Sequence, residues 1–219
     1  MLQWRRRIVF LFLLGTAVFM VILAWYTSNG RNRVATGPAT TSSSTLSPTT
    51  LATPVADLHR VDWPNVTIPG QLCVVPGFIT LRNGEATASS QRWGQVHVGM
   101  QGTDAEYGDL DGDGDDEAAV TIWCDNGGGT AAGQLAQGLV VFDNPSGQLR
   151  TIGTVTPQHQ PADVHTSFID SLTFARGRLV THELWYRNTD ATCCPSGKAT
   201  TVWKYTSGRL VPGNTQLTS

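Results

Sequence analysis

A mostly antiparallel β domain behind one apolar helix is the fold class that this sequence predicts, and three observations carry it. Beyond residue 55, apolar residues recur in short alternating runs bounded by Gly, Pro, Asn and Asp, the pattern of half-buried strands and turns. No segment there sustains a 3.6-residue period; only "AAGQLAQ", 131–137, suggests a helical turn. Before it stands a single uncharged apolar run of helical length.

That run, residues 8–26 ("IVFLFLLGTAVFMVILAWY"), would span about 28 Å as a helix, close to the hydrocarbon thickness of a bilayer. Arg5, Arg6 and Arg7 precede it within a tail at 1–7, so the positive-inside bias places the N-terminus in the cytoplasm. Trp4 and Trp25–Tyr26 bracket it at the two expected interfaces. A cleaved signal peptide would show a shorter apolar region and a small-residue cleavage site, and "LAWYTSNG" has none. The expectation is an uncleaved signal anchor in the cell membrane, with the rest of the chain extracytoplasmic.

Residues 27–54 are rich in Thr, Ser and Pro. Such a tract buries too little surface to offset its ordering entropy and reads as a disordered stalk. A coil of that length spans about 25–30 Å, enough to lift the next domain off the headgroups. Residues 55–219 then form one domain, long enough for a sizeable core.

Candidate strands in that domain lie at 71–75, 78–82, 93–99, 117–124, 138–143, 148–155, 165–174, 178–187, 199–206 and 208–211. In "RLVTHELWYR", Leu179, Thr181, Glu183 and Trp185 fall on one face and Val180, His182, Leu184 and Tyr186 on the other. Asn144–Pro145–Ser146–Gly147 supplies turn chemistry between two strands. Hairpin-linked strands of this kind give a sandwich, a barrel or an incomplete propeller.

Charge and cysteines add a location. From Val55 onward ten Lys and Arg oppose seventeen Asp and Glu, a net −7 that disfavours nucleic acid as a partner. Cys73, Cys124, Cys193 and Cys194 all fall on the expected outer side, where disulfides persist. No C-x-x-C spacing favours zinc. A bridge between the neighbours Cys193 and Cys194 conflicts with the usual Cα separation of a disulfide, so each is expected to reach back to Cys73 or Cys124.

Six of the seventeen acidic residues crowd into the nine positions from Asp109 to Glu117, in "GDLDGDGDDEAAV". Like charges so close repel by about 1 kcal/mol or more per pair even in high dielectric. With Asp109 as position 1, Asp111 is 3, Asp113 is 5, Gly114 is 6, Asp115 is 7 and Glu117 is 9. Alternate acidic side chains converge on one ion while Gly114 permits the sharp turn and the Asp115 carbonyl adds an oxygen. All-oxygen ligation by several carboxylates suits Ca2+, in a structural role. An EF-hand would place Glu at position 12, where Val120 stands, and the following "DDEAAVTIWC" reads as a strand.

The stretch "YGDLDGDGDDEAAV" resembles the D-x-D-x-D-G-x-x-[DE] loop of FG-GAP repeats in integrin-type propellers. That resemblance implies calcium held by the side chains of Asp109, Asp111, Asp113 and Glu117 and the carbonyl of Asp115. It covers about 14 residues, and its single occurrence counts against a propeller of identical blades. The plan of anchor, stalk, "WCDNGGGTAAGQ", "DATCCPSGKAT" and "VWKYTSGRLV" resembles uncharacterised cell-envelope proteins of actinobacteria, the LppP/LprE-like lipoproteins included, although this chain lacks their lipid-attachment cysteine.

Other motifs carry less. "DNGGGTAAGQ" lacks the Lys and spacing of a P-loop. No G-x-S-x-G elbow supports a hydrolase triad. His59, His97, His159, His165 and His182 show no metal-binding spacing, and the tryptophans of short strands are expected in the core. Asn65-Val66-Thr67 fits an acceptor for N-linked sugar, a common pattern. The expected function is a non-enzymatic, calcium-binding module displayed outside the cell, contacting a cell-wall glycan or an envelope protein. The alternatives are a hydrolase of wall polysaccharide or peptide and an accessory sensor subunit.

Overall fold

The computed structural model of the protein describes residues 57–127, 133–162 and 164–218. The tail at 1–7, the anchor at 8–26 and the stalk at 27–54 lie outside these residues. Among the described residues, no helix is long and apolar enough to cross a membrane.

The central layer is a six-stranded antiparallel sheet. It comprises β3 (Glu85–Ser90), β4 (Gly94–Met100), β5 (Glu106–Gly108), β6 (Glu117–Asp125), β7 (Gln134–Asp143) and β8 (Arg150–Val155). The order is β3-β4-β6-β7-β8, and β5 pairs with β6 on the edge that β4 leaves free. A second sheet is the meander of β9 (Phe168–Ala175), β10 (Arg178–Trp185), β11 (Gly197–Thr206) and β12 (Arg209–Leu217). A small pair, β1 (Thr67–Pro69) with β2 (Phe78–Thr80), precedes both. Neither large sheet closes on itself, so the barrel alternative is removed.

The middle strands explain the layering. Along β7, Val140 and Phe142 face one core while Leu139 and Val141 face another, and all four are essentially inaccessible. A strand apolar on both faces needs cover on both sides. On one side, 3-10 turns at Leu58–Arg60, Trp63–Asn65 and Gly70–Cys73, with β1 and β2, bring Leu58, Trp63, Ile68, Leu72 and Ile79 onto Ala118, Val120 and Ile122 of β6. On the other side, Ile169, Leu179 and Trp203 of the second sheet pack on Ala119, Leu139 and Val141. Each large apolar side chain so buried stabilises by about 1.5–3 kcal/mol. Trp63, in a 3-10 turn, and Trp203, on β11, are core residues as expected, whereas Trp93, Trp123 and Trp185 are only half-buried.

One buried side chain also closes a strand edge. The Gln137 amide accepts from Ile169 N at 2.9 Å and donates to Ile169 O at 3.2 Å, standing where a neighbouring strand would stand. The β11–β12 turn is Ser207–Gly208, both at positive φ, as a two-residue hairpin with the right strand twist demands.

Several expectations are corrected. Segment 71–75 is not a strand: the chain coils into the 3-10 turn and Val74 is left-handed, because Gly70 and Gly77 close a loop through Gly70 N to Gly77 O at 2.8 Å. Gln134–Gln137, part of the suggested helical turn, extend β7 instead. Strand β3, "EATASS", carries no large apolar residue and is set by its pairing with β4 rather than by its own pattern.

The cysteine pairing is also corrected. Cys73 bonds Cys124, with Cα atoms 5.7 Å apart, and both are buried in the first core, where they fasten the 3-10 turn to β6. Cys193 bonds Cys194 across a single peptide, with Cα atoms 3.8 Å apart. The expected cross-pairing fails because Cys73 and Cys124 are buried together in the first core, whereas Cys193 and Cys194 sit on an exposed loop between β10 and β11.

Candidate metal centre

The acidic segment is the loop of a hairpin. Gly108 at the end of β5 pairs with Glu117 at the start of β6, so residues 109–116 must turn between them. Leu110, at the second position of the loop, is fully buried in the second core and anchors it. The β9–β10 turn clamps it from the other sheet: Gly177 N donates to the Leu110 carbonyl at 2.6 Å, and the Arg176 guanidinium donates to the Gly112 carbonyl. Gly112 lies at φ +85, which favours glycine, and a Cβ there would meet Arg176 Nε at 2.0 Å, so the guanidinium would have to move off the loop. Gly114, at φ +99, meets no neighbour and requires only the backbone conformation.

Within this frame the carboxylates fold inward. Asp109 Oδ1 accepts from Gly112 N at 2.6 Å, Asp111 Oδ1 from Asp113 N at 3.1 Å, and Asp113 Oδ1 from Asp115 N at 2.9 Å. Glu117 Oε2 accepts from Leu110 N at 2.6 Å. These bonds engage one oxygen of each carboxylate and leave the other available. Asp109, Asp111 and Glu117 each bring a carboxylate oxygen within 4.8 Å of the other two. Asp113 and Asp115 lie on the exposed outer turn and outside that group of three, with the Asp113 carboxylate beside that of Asp111.

The electrostatics are unfavourable as they stand. Glu117 is only 3% exposed, and among the described residues no Lys, Arg or His forms an ion pair with any of the three converging carboxylates. Burial, reinforced by the charges of Asp111 and Asp143, pushes the Glu117 carboxyl up to about 7 despite the Leu110 N–H. Asp111 is also raised, first by desolvation and then by the charges of Asp113 and Asp143. A cation at the shared focus would reverse these terms. The donors are hard oxygens, one is buried without a counter-charge, and three converge, so the three residues could hold a metal ion.

The site is wider than the loop. It opens into a basin of about 860 Å3 whose far wall carries Asp57 and His59 of the N-terminal arm and Asp143, Asn144 and Arg150 of the β7–β8 connection. His59 Nε2 lies 3.2 Å from Asp116 Oδ2 and its ring stacks on Tyr107 at 3.9 Å, tying the arm to the rim. Arg150 donates to Asp143 at 2.5 Å. Asn144 Oδ1 is buried with no hydrogen-bond partner. Asp143, Asn144 and Arg176 are the site neighbours that sequence reading misses. "DNPSG" reads only as a turn, and nothing local signals that it returns to the acidic loop.

The remaining sequence motifs fall elsewhere. His97 sits 3.7 Å from Glu85 and 3.9 Å from Asp125, while His159 and His165 meet Trp185 and Tyr186 edge-on. The Asn65 amide is engaged within the fold, donating to Asp62 and accepting from Asn83 N. Comparison of the chain with protein-family models, with curated proteins and with solved structures finds no significant match.

Proposed function

We propose that this protein is a single-pass membrane protein that displays a calcium-stabilised, disulfide-bonded β domain outside the cell, acting as a binding or envelope-structural module without catalysis of its own. One observation carries the reading: three carboxylates converge, one of them the nearly inaccessible Glu117, and among the described residues no cationic side chain pairs with any of the three. Asp109, Asp111 and Glu117 would hold the ion, with Asp113 and the Asp115 carbonyl as further donors from the outer turn. The ion would supply positive charge where the fold has concentrated negative charge. Because Leu110 and Arg176 tie this loop to the second sheet, neutralising it stabilises the contact between the sheets. The match of Asp109, Asp111, Asp113 and Glu117 to positions 1, 3, 5 and 9 of the FG-GAP loop supports the same assignment.

The face-to-face packing of two open sheets favours the sandwich among the fold readings. The buried Cys73–Cys124 bridge favours an oxidising compartment, in keeping with an anchor at 8–26 and an extracytoplasmic domain. Titration calorimetry on the full-length chain in detergent tests the reading. Calcium should bind with measurable heat, magnesium more weakly, and Asp111→Ala should remove the calcium signal. Absence of heat with calcium, or an unchanged signal in D111A, would refute it.

A further inference from the structure

The loop between β10 and β11 carries the second disulfide of the chain in a setting unlike that of the first. Cys73 and Cys124 are 1% and 0% exposed within the first core, whereas the adjacent Cys193 and Cys194 are both exposed. Thiol–disulfide exchange needs a thiolate to reach a bridge sulfur. Only the second bridge offers that approach without prior opening of the fold.

The loop is held without help from the sulfurs. The Asp190 carboxylate accepts from Arg187 N, Ser196 N and Ser196 Oγ, and Asp190 N donates to Arg187 O at 3.0 Å. The buried Tyr186 donates its hydroxyl to Thr192 O, and Cys194 N donates to Ala191 O at 2.9 Å. None of these contacts involves a sulfur, so the bridge can open while the loop keeps its shape. The single peptide between the two residues holds their Cα atoms 3.8 Å apart, which keeps the freed thiols at high effective concentration for reclosure.

We infer that Cys193–Cys194 is an exchangeable redox couple that accepts electrons from a dithiol, while Cys73–Cys124 is a permanent structural bridge. A donor thiolate attacks one exposed sulfur, forming a mixed disulfide and expelling the neighbouring cysteine as a thiolate, which takes up a proton. The second donor thiolate then attacks the donor sulfur of the mixed disulfide, so the donor leaves as its own disulfide and the second cysteine is released and protonated. Two electrons and two protons pass from donor to chain. The tether selects the donor class: after attack by a monothiol the neighbouring cysteine attacks the mixed disulfide and expels it, restoring the bridge, whereas the second thiol of a dithiol competes with that return. No part of this rests on the acidic loop.

Timed alkylation and peptide mass mapping on the full-length chain in detergent test the inference, with dithiothreitol as the dithiol and glutathione as the monothiol. Dithiothreitol should open Cys193–Cys194 at least about 100-fold faster than Cys73–Cys124, since the buried pair reacts only in opened molecules. Glutathione at equal thiol concentration should open it less than about a tenth as far. Cys193→Ser removes the resolving thiol, so this variant should retain glutathione on Cys194 as a mixed disulfide that the native chain sheds. After dithiothreitol is removed, glutathione disulfide should restore the 193–194 bridge alone, and the reduced chain should keep its Tm within about 3 °C. Equal rates for the two bridges, equal opening by glutathione, glutathione retained by the native chain, reoxidation onto Cys73 or Cys124, or a larger fall in Tm would overturn the inference. Mapping of the native chain decides the matter if C193S does not fold.

Discussion

The acidic loop at 109–117 and the loop at 187–196 that carries the adjacent cysteines are both exposed connections between paired strands, and both place a carboxylate at their centre. They treat it in opposite ways. Asp190 accepts from Arg187 N and Ser196 N at 2.8 Å each and from Ser196 Oγ at 2.7 Å, while Arg187 donates to the same serine. These donors, the Arg187 N–H first, hold the Asp190 carboxyl below its ordinary value. Tyr186 OH closes the loop on the Thr192 carbonyl at 2.9 Å. Glu117 is deeply buried among acidic neighbours and, despite the backbone N–H groups of Leu110 and Asp111, is raised to about 7. One loop satisfies its own charge; the other leaves charge for something outside the chain to satisfy.

That contrast is broken most directly by substituting the two acids. Glu117→Gln should keep or raise the melting temperature in chelator, since it removes a buried charge, yet lose the calcium response. At 100 times its dissociation constant that response is worth about 2.7 kcal/mol in the native chain. Asp190→Asn should lower the melting temperature equally with and without calcium. Equal calcium responses in native and E117Q protein would erase the distinction.

The next effect is on pH. The folded Glu117 carboxyl is raised to about 7 from an ordinary 4.5, so between those values the folded state holds more proton than the unfolded chain. Stability of the metal-free domain therefore falls as pH rises from about 5 to 7, by about 1–2 kcal/mol once solvent screening is allowed for. With saturating calcium the trend inverts, because the ion requires the deprotonated carboxylate and its stabilisation grows with pH over the same window. Denaturant melts at pH 5 and 7 with calcium and with chelator read both slopes. Parallel slopes would contradict the assignment.

Smaller again is the glycine comparison within the acidic loop. Gly112→Ala meets both a positive φ and Arg176 and should cost about 1–3 kcal/mol, whereas Gly114→Ala, strained only in its backbone, should cost about 1 kcal/mol. Equal losses would show that Arg176 yields freely. The least effect is expected in the other loop. Replacing Cys193 and Cys194 by Ser should change stability by about 1 kcal/mol or less, because a bridge between neighbours removes little freedom that the chain connection has not already removed. A larger loss would mean that the bridge, rather than Asp190, organises that loop.

Much of this architecture is local and therefore legible in the chain. The alternation of "GLVVF" and "EAAVTIWC", the turn residues at Gly177 and Asn144–Gly147, and the acidic spacing around Gly114 all act over a few residues. The strands and the loop fall close to where those patterns put them. Strands such as Glu85–Ser90 escape notice because they carry no apolar signal and exist through their partner.

By itself the sequence determined a β-rich domain, a strongly acidic loop and a net negative charge, since hydrophobic period, turn preference and charge spacing are properties of short segments. Only the tertiary structure decided that Cys73 meets Cys124, that Asp109, Asp111 and Glu117 are the carboxylates brought together, and that Arg176 and the β7–β8 turn frame them. The disulfide and the Arg176 contact join residues 51 and 64 positions apart, and the three carboxylates, though close in sequence, meet only because the packing of Leu110 and the β9–β10 turn fixes the loop, conditions that no local pattern encodes.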